Sequence, residues 1–128
     1  MAVYVYDRSE RAKRERAMEL LASYPEQLVV STQVLSEFYW TVTCKLDPPL
    51  SADVAAEATR RLGALRVVSV DRDLVLSAID SAAENRLALW DAFIVEAAVR
   101  AACDTLITED LNDGQEIRGV RIENPFRP

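Results

Sequence analysis

The chain has 128 residues, half of them apolar, with 15 basic and 21 acidic side chains, no histidine and a net charge of −6. That length supports one domain that closes its own hydrophobic core. The lack of histidine excludes a Ser-His-Asp triad, a Cys-His pair and a histidine-ligated zinc site. The acidic balance argues against general adhesion to nucleic acid, which comes from basic residues meeting phosphates, but leaves room for a local basic groove.

In chain order, the spacing predicts a helix from Ser9 to about Ser23, with Ser9 as N-cap and Ala17, Leu20, Leu21 and Tyr24 on one face. Its basic run, Arg8, Arg11, Lys13, Arg14 and Arg16, reads as a solvated face laced with Glu10, Glu15 and Glu19. "QLVVS" then reads as a short buried strand. Ser31 or Thr32 caps a helix whose Val34, Leu35, Phe38 and Val42 recur at helical spacing. "LDPPL" breaks it, because neither proline can continue a helix.

Ser51 starts a helix through Leu65, followed by the strand "RVVSV". Asp71 is an N-cap for "RDLVLSAIDSAAE", with Leu74, Val75, Ala78, Ile79 and Ala82 inward. "LWDAFIVEAAVRAA" is a helix with Trp90, Phe93, Ile94, Ala97 and Ala101 as its main stripe and a Glu96–Arg100 pair outside. "DTLIT" is a strand, "EDLNDGQEIRG" a polar loop, and "VRIEN" a last strand. Strands alternate with helices throughout, the signature of a mainly parallel sheet covered on both faces and so of the α/β class.

Cys44 and Cys103 lie in apolar helical patterns without metal-ligand spacing and read as buried thiols of a reducing, cytoplasmic compartment. No apolar run is long enough to span a bilayer, and no leader sequence opens the chain.

Chemistry concentrates on carboxylates. In open parallel sheets ligands bind beyond the carboxyl ends of the strands. Asp110 lies just past "TLIT", Glu37 sits on the helix after "QLVVS", and Asp91 falls in the first turn of a helix apolar almost all round. Each has a structural reading: helix-dipole acid for Asp91, turn formers for Asp110 and Asp113 beside Gly114, solvated helix residue for Glu37. Together, acids near one sheet edge repel unless a cation neutralises them. Oxygen-only ligands suit Mg²⁺ or Mn²⁺.

The segments "STQVLSEFYWTVTCKL", "LWDAFIVEAAVRAACDTLITEDLNDGQ" and "GVRIENPF" resemble the PIN-domain ribonucleases of the VapC toxin type. The resemblance implies a three-layer α/β/α fold in a single domain and an Mg²⁺- or Mn²⁺-dependent endoribonuclease acting on RNA. It also implies a frequent homodimer and a VapB-type antitoxin partner. By position, Glu37 matches the first helical acid, Asp91 the central metal-binding aspartate, Asp110 the acid after the fourth strand, and Thr108 the small hydroxyl residue before it. Asp113 is auxiliary, with a turn role as its alternative.

The family opens with a central strand ending in Asp-Thr-Asn, whereas this chain begins "MAVYVYDRSE", as if just past that motif. Asp7 is not a substitute. The first central strand is therefore expected to be missing, with either a start placed too late or "AVYVY" in its place. The alternative function is a catalytically impaired PIN-fold binding module that retains dimer or antitoxin interaction. A receiver domain or an aspartyl phosphatase is more distant, because both want paired acids or Asp-x-Asp after the first strand. Asp71 and Asp73 fit helix capping better.

Overall fold

The structure is a computed structural model and describes residues 28–108 and 111–124. The expected helix Ser9–Ser23 with its basic run, the segment "AVYVY", Asp7 and Asp110 lie outside the described residues. The described residues divide into two compact units, the first ending at Val67 and the second beginning at Val68.

In the first unit, strand β1 (Val29–Ser31) leads directly into helix α1 (Thr32–Cys44). Ser31 is the cap: its Oγ accepts the Val34 N–H at 3.2 Å, satisfying one of the helix's unpaired donors. Ser51 does the same for helix α2 (Ala52–Leu62), accepting the Val54 N–H at 3.3 Å. The expected helical spacing holds where it matters, since Phe38 and Val42 are fully buried with Leu46, Ala55, Ala58 and Leu62. Leu35, Leu50 and Leu65 pack around this cluster. Burying side chains such as Phe38 and Val42 contributes roughly 1.5–3 kcal/mol each.

Helix α2 stops short of the expected Leu65. Past Leu62, the Ala64 and Leu65 N–H groups reach back three residues, to Arg61 and Leu62 carbonyls, and this tighter pattern ends the α-helix. Strand β2 (Arg66–Val68) then pairs with β1. Cys44, expected buried, is exposed, and Cys103 is half-buried. Cys44 is the last residue of α1 and, two residues past the buried Val42, lies on the opposite side of the helix.

The second unit contains helices α3 (Arg72–Asn85) and α4 (Leu89–Arg100) and a three-stranded sheet of β3 (Thr105–Ile107), β4 (Glu116–Ile117) and β5 (Val120–Glu123). Asp71 caps α3 as expected, its Oδ1 accepting the Leu74 N–H at 2.9 Å. The buried stripe of α3 is Leu74, Ala78 and Ser81. Ile79, expected inward, is 49% exposed. It is turned about 100° from Ala78, out of that stripe.

Helix α4 packs against α3 and against both β3 and β5. It is therefore covered on more than one face, burying Ala92, Phe93, Val95, Ala97 and Ala98. This explains an apolar pattern that runs almost all round the helix. Trp90 departs from the expected stripe and is 63% exposed.

The sheet order is β3-β5-β4. Strand β5 lies parallel to β3, with Thr105, Leu106 and Ile107 opposite Arg121, Ile122 and Glu123. It lies antiparallel to β4. The sequence reading placed β4 inside a polar loop, because a two-residue strand with one apolar side chain shows no alternation. Its Ile117 is nevertheless buried against Val95 and Ile122. The turn joining β4 to β5 is Arg118-Gly119, with φ of 55° and 80°. Two positive φ values in succession match the right-handed twist of a two-residue hairpin, and glycine adopts one of them without a Cβ penalty.

Candidate functional site

The site is described from the second unit, where three of the five sequence candidates fall among the described residues. Asp91 occupies the third position of α4, half-buried. The N-cap Ala88 makes no side-chain hydrogen bond, so the carboxylate of Asp91 complements the positive end of a helix that has no capping oxygen. Four residues join the end of α4 at Arg100 to the start of β3 at Thr105. So short a connection between packed elements turns β3 back along α4, so that the strand runs from the side of the helix's last turn in the direction of its first.

Thr108 follows β3 directly and is 8% exposed. Its N–H donates to the Glu123 carbonyl at 3.0 Å, extending the parallel pairing by one bond. On the far side of the acidic loop, the Asp113 Oδ1 accepts the Asn124 N–H at 2.8 Å. The Gly114 N–H donates to the Ile122 carbonyl at 2.8 Å, and Leu111 packs on the Val95–Ile117–Ile122 cluster. Thr108 is thus tied to Glu123, the last residue of β5, and Asp113 to Asn124, which follows it. This bond of Asp113 is the behaviour of a turn-stabilising acid. Asp110 belongs to the segment between Thr108 and Asp113 but lies outside the described residues.

Glu37 belongs to the first unit. It is exposed on α1, and its Oε1 accepts from the Gln33 Nε2 at 2.9 Å, one helical turn earlier. A shallow depression of about 340 Å³ on α2 is lined by Asp53, Val54, Glu57, Ala58 and Arg61, and none of the candidate acids lines it.

Other charges of the second unit are arranged differently from the sequence expectation. Glu96, predicted on the outside with Arg100, is 5% exposed. It receives two hydrogen bonds from Arg118, at 3.1 Å from Nε and 3.0 Å from Nη2. The carboxylate beside it raises the Arg118 guanidinium above its ordinary pKa. Arg100 turns instead to Asp71, at 2.9 Å, and its Nη1 also reaches the Ser69 carbonyl at 3.4 Å. Asp71 is held below the usual carboxylate range, first by the Leu74 N–H and then by Arg100. Helical spacing fails here because each acid finds its partner on another element, at sequence separations of 22 and 29 residues.

The donor chemistry suits a hard divalent cation: carboxylate and hydroxyl oxygens, in a chain without histidine. Among the described residues no three His, Cys, Asp or Glu side chains converge on one point. Two further carboxylates, Glu109 and Asp110, follow Thr108 directly in the sequence and lie outside the described residues. Among the described residues, no helix is long and apolar enough to cross a membrane.

Compared with known families, residues 1–114 match the PIN domain. No curated protein matches. The PIN domain is a three-layer α/β/α fold of nuclease type, generally metal-dependent, and the match runs across both compact units. The helices and the parallel β3–β5 pair agree with that fold.

Proposed function

The chain belongs to the PIN domain family, and on that premise we propose that it is a divalent-metal-dependent endoribonuclease of the VapC toxin type. The observation that carries this reading is the position of Asp91. It is a half-buried carboxylate in the first turn of α4, the helix that leads into β3 and, past Ile107, into Thr108 and the acidic loop. Asp91 and Asp110 would hold Mg²⁺ or Mn²⁺, and Glu37 would complete the set or orient water on the strength of its match to the family's helical acid. Thr108 would support the site through its hydroxyl, with Asp113 as an auxiliary acid.

A bound ion of this kind supplies charge neutralisation at a phosphodiester and lowers the pKa of a water. The chain's own contribution is positioning. The first turn of α4 is fixed by Ala92 and Phe93 buried beneath it, and Asp113 and Gly114 are tied to Asn124 and Ile122. A carboxylate held as Asp91 is acts with little rearrangement during the reaction. A VapB-type antitoxin, a homodimer and a cytoplasmic location go with the toxin reading.

The test is a thermal-melt titration with Mn²⁺ of the parent and Asp91→Asn, followed by RNA cleavage. A ligand that binds only the folded state adds about 2.7 kcal/mol of stability at a hundredfold excess over Kd. The parent should gain Tm with Mn²⁺ and cut RNA, and the variant should do neither while keeping its metal-free Tm within a few degrees. A parent whose Tm ignores Mn²⁺ would favour a catalytically impaired binding module instead. Equal cleavage by the variant would remove Asp91 from the site.

A further inference from the structure

Building on the ribonuclease reading, we infer that Trp90 is a stacking platform for an unpaired base of the RNA, at a nucleotide flanking the phosphodiester presented to Asp91. Trp90 immediately precedes Asp91 in the first turn of α4, and it is 63% exposed, the most open of the large apolar side chains among the described residues. An indole in water beside a candidate catalytic acid contributes little to the core, while its neighbours Ala92 and Phe93 are buried.

The ring is nevertheless oriented. Its centroid lies 5.5 Å from that of Phe93, tilted at 50°, and Phe93 is itself 8% exposed. A buried aromatic therefore lies against one side of the indole in a tilted arrangement, at a centroid distance within the range of aromatic pairs. Such a platform loses little conformational freedom when a base settles on it.

Charge supplies the second reason. With a net charge of −6, the chain gains little from phosphate attraction, and two arginines of the second unit, Arg100 and Arg118, are already paired with carboxylates. Base–aromatic stacking needs no such charge and acts on single strands, whose bases are free to unstack. The chain's other tryptophan differs: Trp40, on α1, has the Lys45 Nζ 5.0 Å above its ring. An ammonium already occupies the approach to that face, so Trp40 serves as the internal comparison.

The experiment uses the full chain carrying Trp40→Phe, so that emission reports Trp90 alone, in EDTA to prevent cleavage. It is titrated with short oligo-uridine, oligo-adenosine and a duplex RNA of equal length. Affinities of the Trp90→Leu and Trp90→Phe variants are read from the anisotropy of labelled oligonucleotides. Single strands should quench the emission and the duplex should not. Trp90→Leu should bind single strands about tenfold more weakly, within the range for losing one stacked base, and Trp90→Phe less than about threefold more weakly.

Equal binding by Trp90→Leu, or no quenching by any single strand, overturns the proposal. So does an emission change that follows protein concentration rather than RNA, which would assign Trp90 to a contact between two copies of the chain. Cleavage is measured separately with Mn²⁺. Quenching without cleavage would leave the stacking role and remove the nuclease, whereas cleavage without quenching would remove the stacking role alone.

Discussion

Removing the Arg118 guanidinium while leaving Glu96 in place should be among the most damaging single changes in the second unit. Arg118 is the first residue of the β4–β5 turn, and Glu96 sits at the middle of α4, so their two hydrogen bonds fasten the hairpin to the helix. Glu96 is 5% exposed, and without its partner its carboxylate stays buried and uncompensated. Breaking a buried ion pair from one side costs about 3–5 kcal/mol when both groups are enclosed. The Arg118 side chain is 45% exposed, so water replaces part of what it gave. Arg118→Met, which keeps the aliphatic stem and the same turn position, should therefore cost about 2–3 kcal/mol, below that full range.

At roughly 4 °C per kcal/mol for a chain of this size, Tm should fall by about 10 °C. Urea unfolding of the parent, Arg118→Met, Glu96→Met and the double variant closes a thermodynamic cycle that isolates the pair. The double variant should recover much of the loss, because an apolar pair of similar volume leaves no buried charge. A loss under about 0.5 kcal/mol in Arg118→Met, or additive effects around the cycle, would refute the argument that this pair is buried in the energetic sense.

Asp71 should make the chain acid-sensitive. Its pKa is depressed in the folded state by the Leu74 N–H and Arg100, so its stabilisation is present above the unfolded value near 3.8 and disappears as pH falls through the lower folded value. Asp71→Asn, which keeps the capping oxygen, should lose less stability than the parent as pH falls below about 4, and parallel melting curves over that descent would contradict the assignment. At Asp113, Asn keeps an oxygen acceptor for the Asn124 N–H and Ala does not. Asp113→Ala should cost about 1 kcal/mol and speed hydrogen exchange at the Asn124 amide, while Asp113→Asn leaves both near the parent. Equal weakening of Mn²⁺ binding by both variants would instead favour Asp113 as a metal ligand.

The parts of the fold that were legible in the sequence are those with short-range causes. Ser31, Ser51 and Asp71 cap their helices through bonds to the residue three positions on, and such bonds need nothing beyond the local chain. Phe38 and Val42 recur one turn apart and point inward together for the same reason. The carboxylates at Glu37, Asp91 and Asp110 could be singled out because acids beside apolar segments are conspicuous without any structure.

Which face of a helix is covered, and what a charge pairs with, depend on elements far along the chain. Periodicity put Trp90 and Ile79 inward, yet α4 and α3 meet along other residues and leave both exposed. It put Glu96 outward with Arg100, but the hairpin brings Arg118 to Glu96 and the start of α3 brings Asp71 to Arg100. Strand β4 is too short to announce itself and exists because β5 offers it a partner. Local spacing therefore determined the elements and their caps, while the packing of α4 against α3 and the β5 sheet decided which side chains are buried, which are paired, and which stand open beside the candidate site.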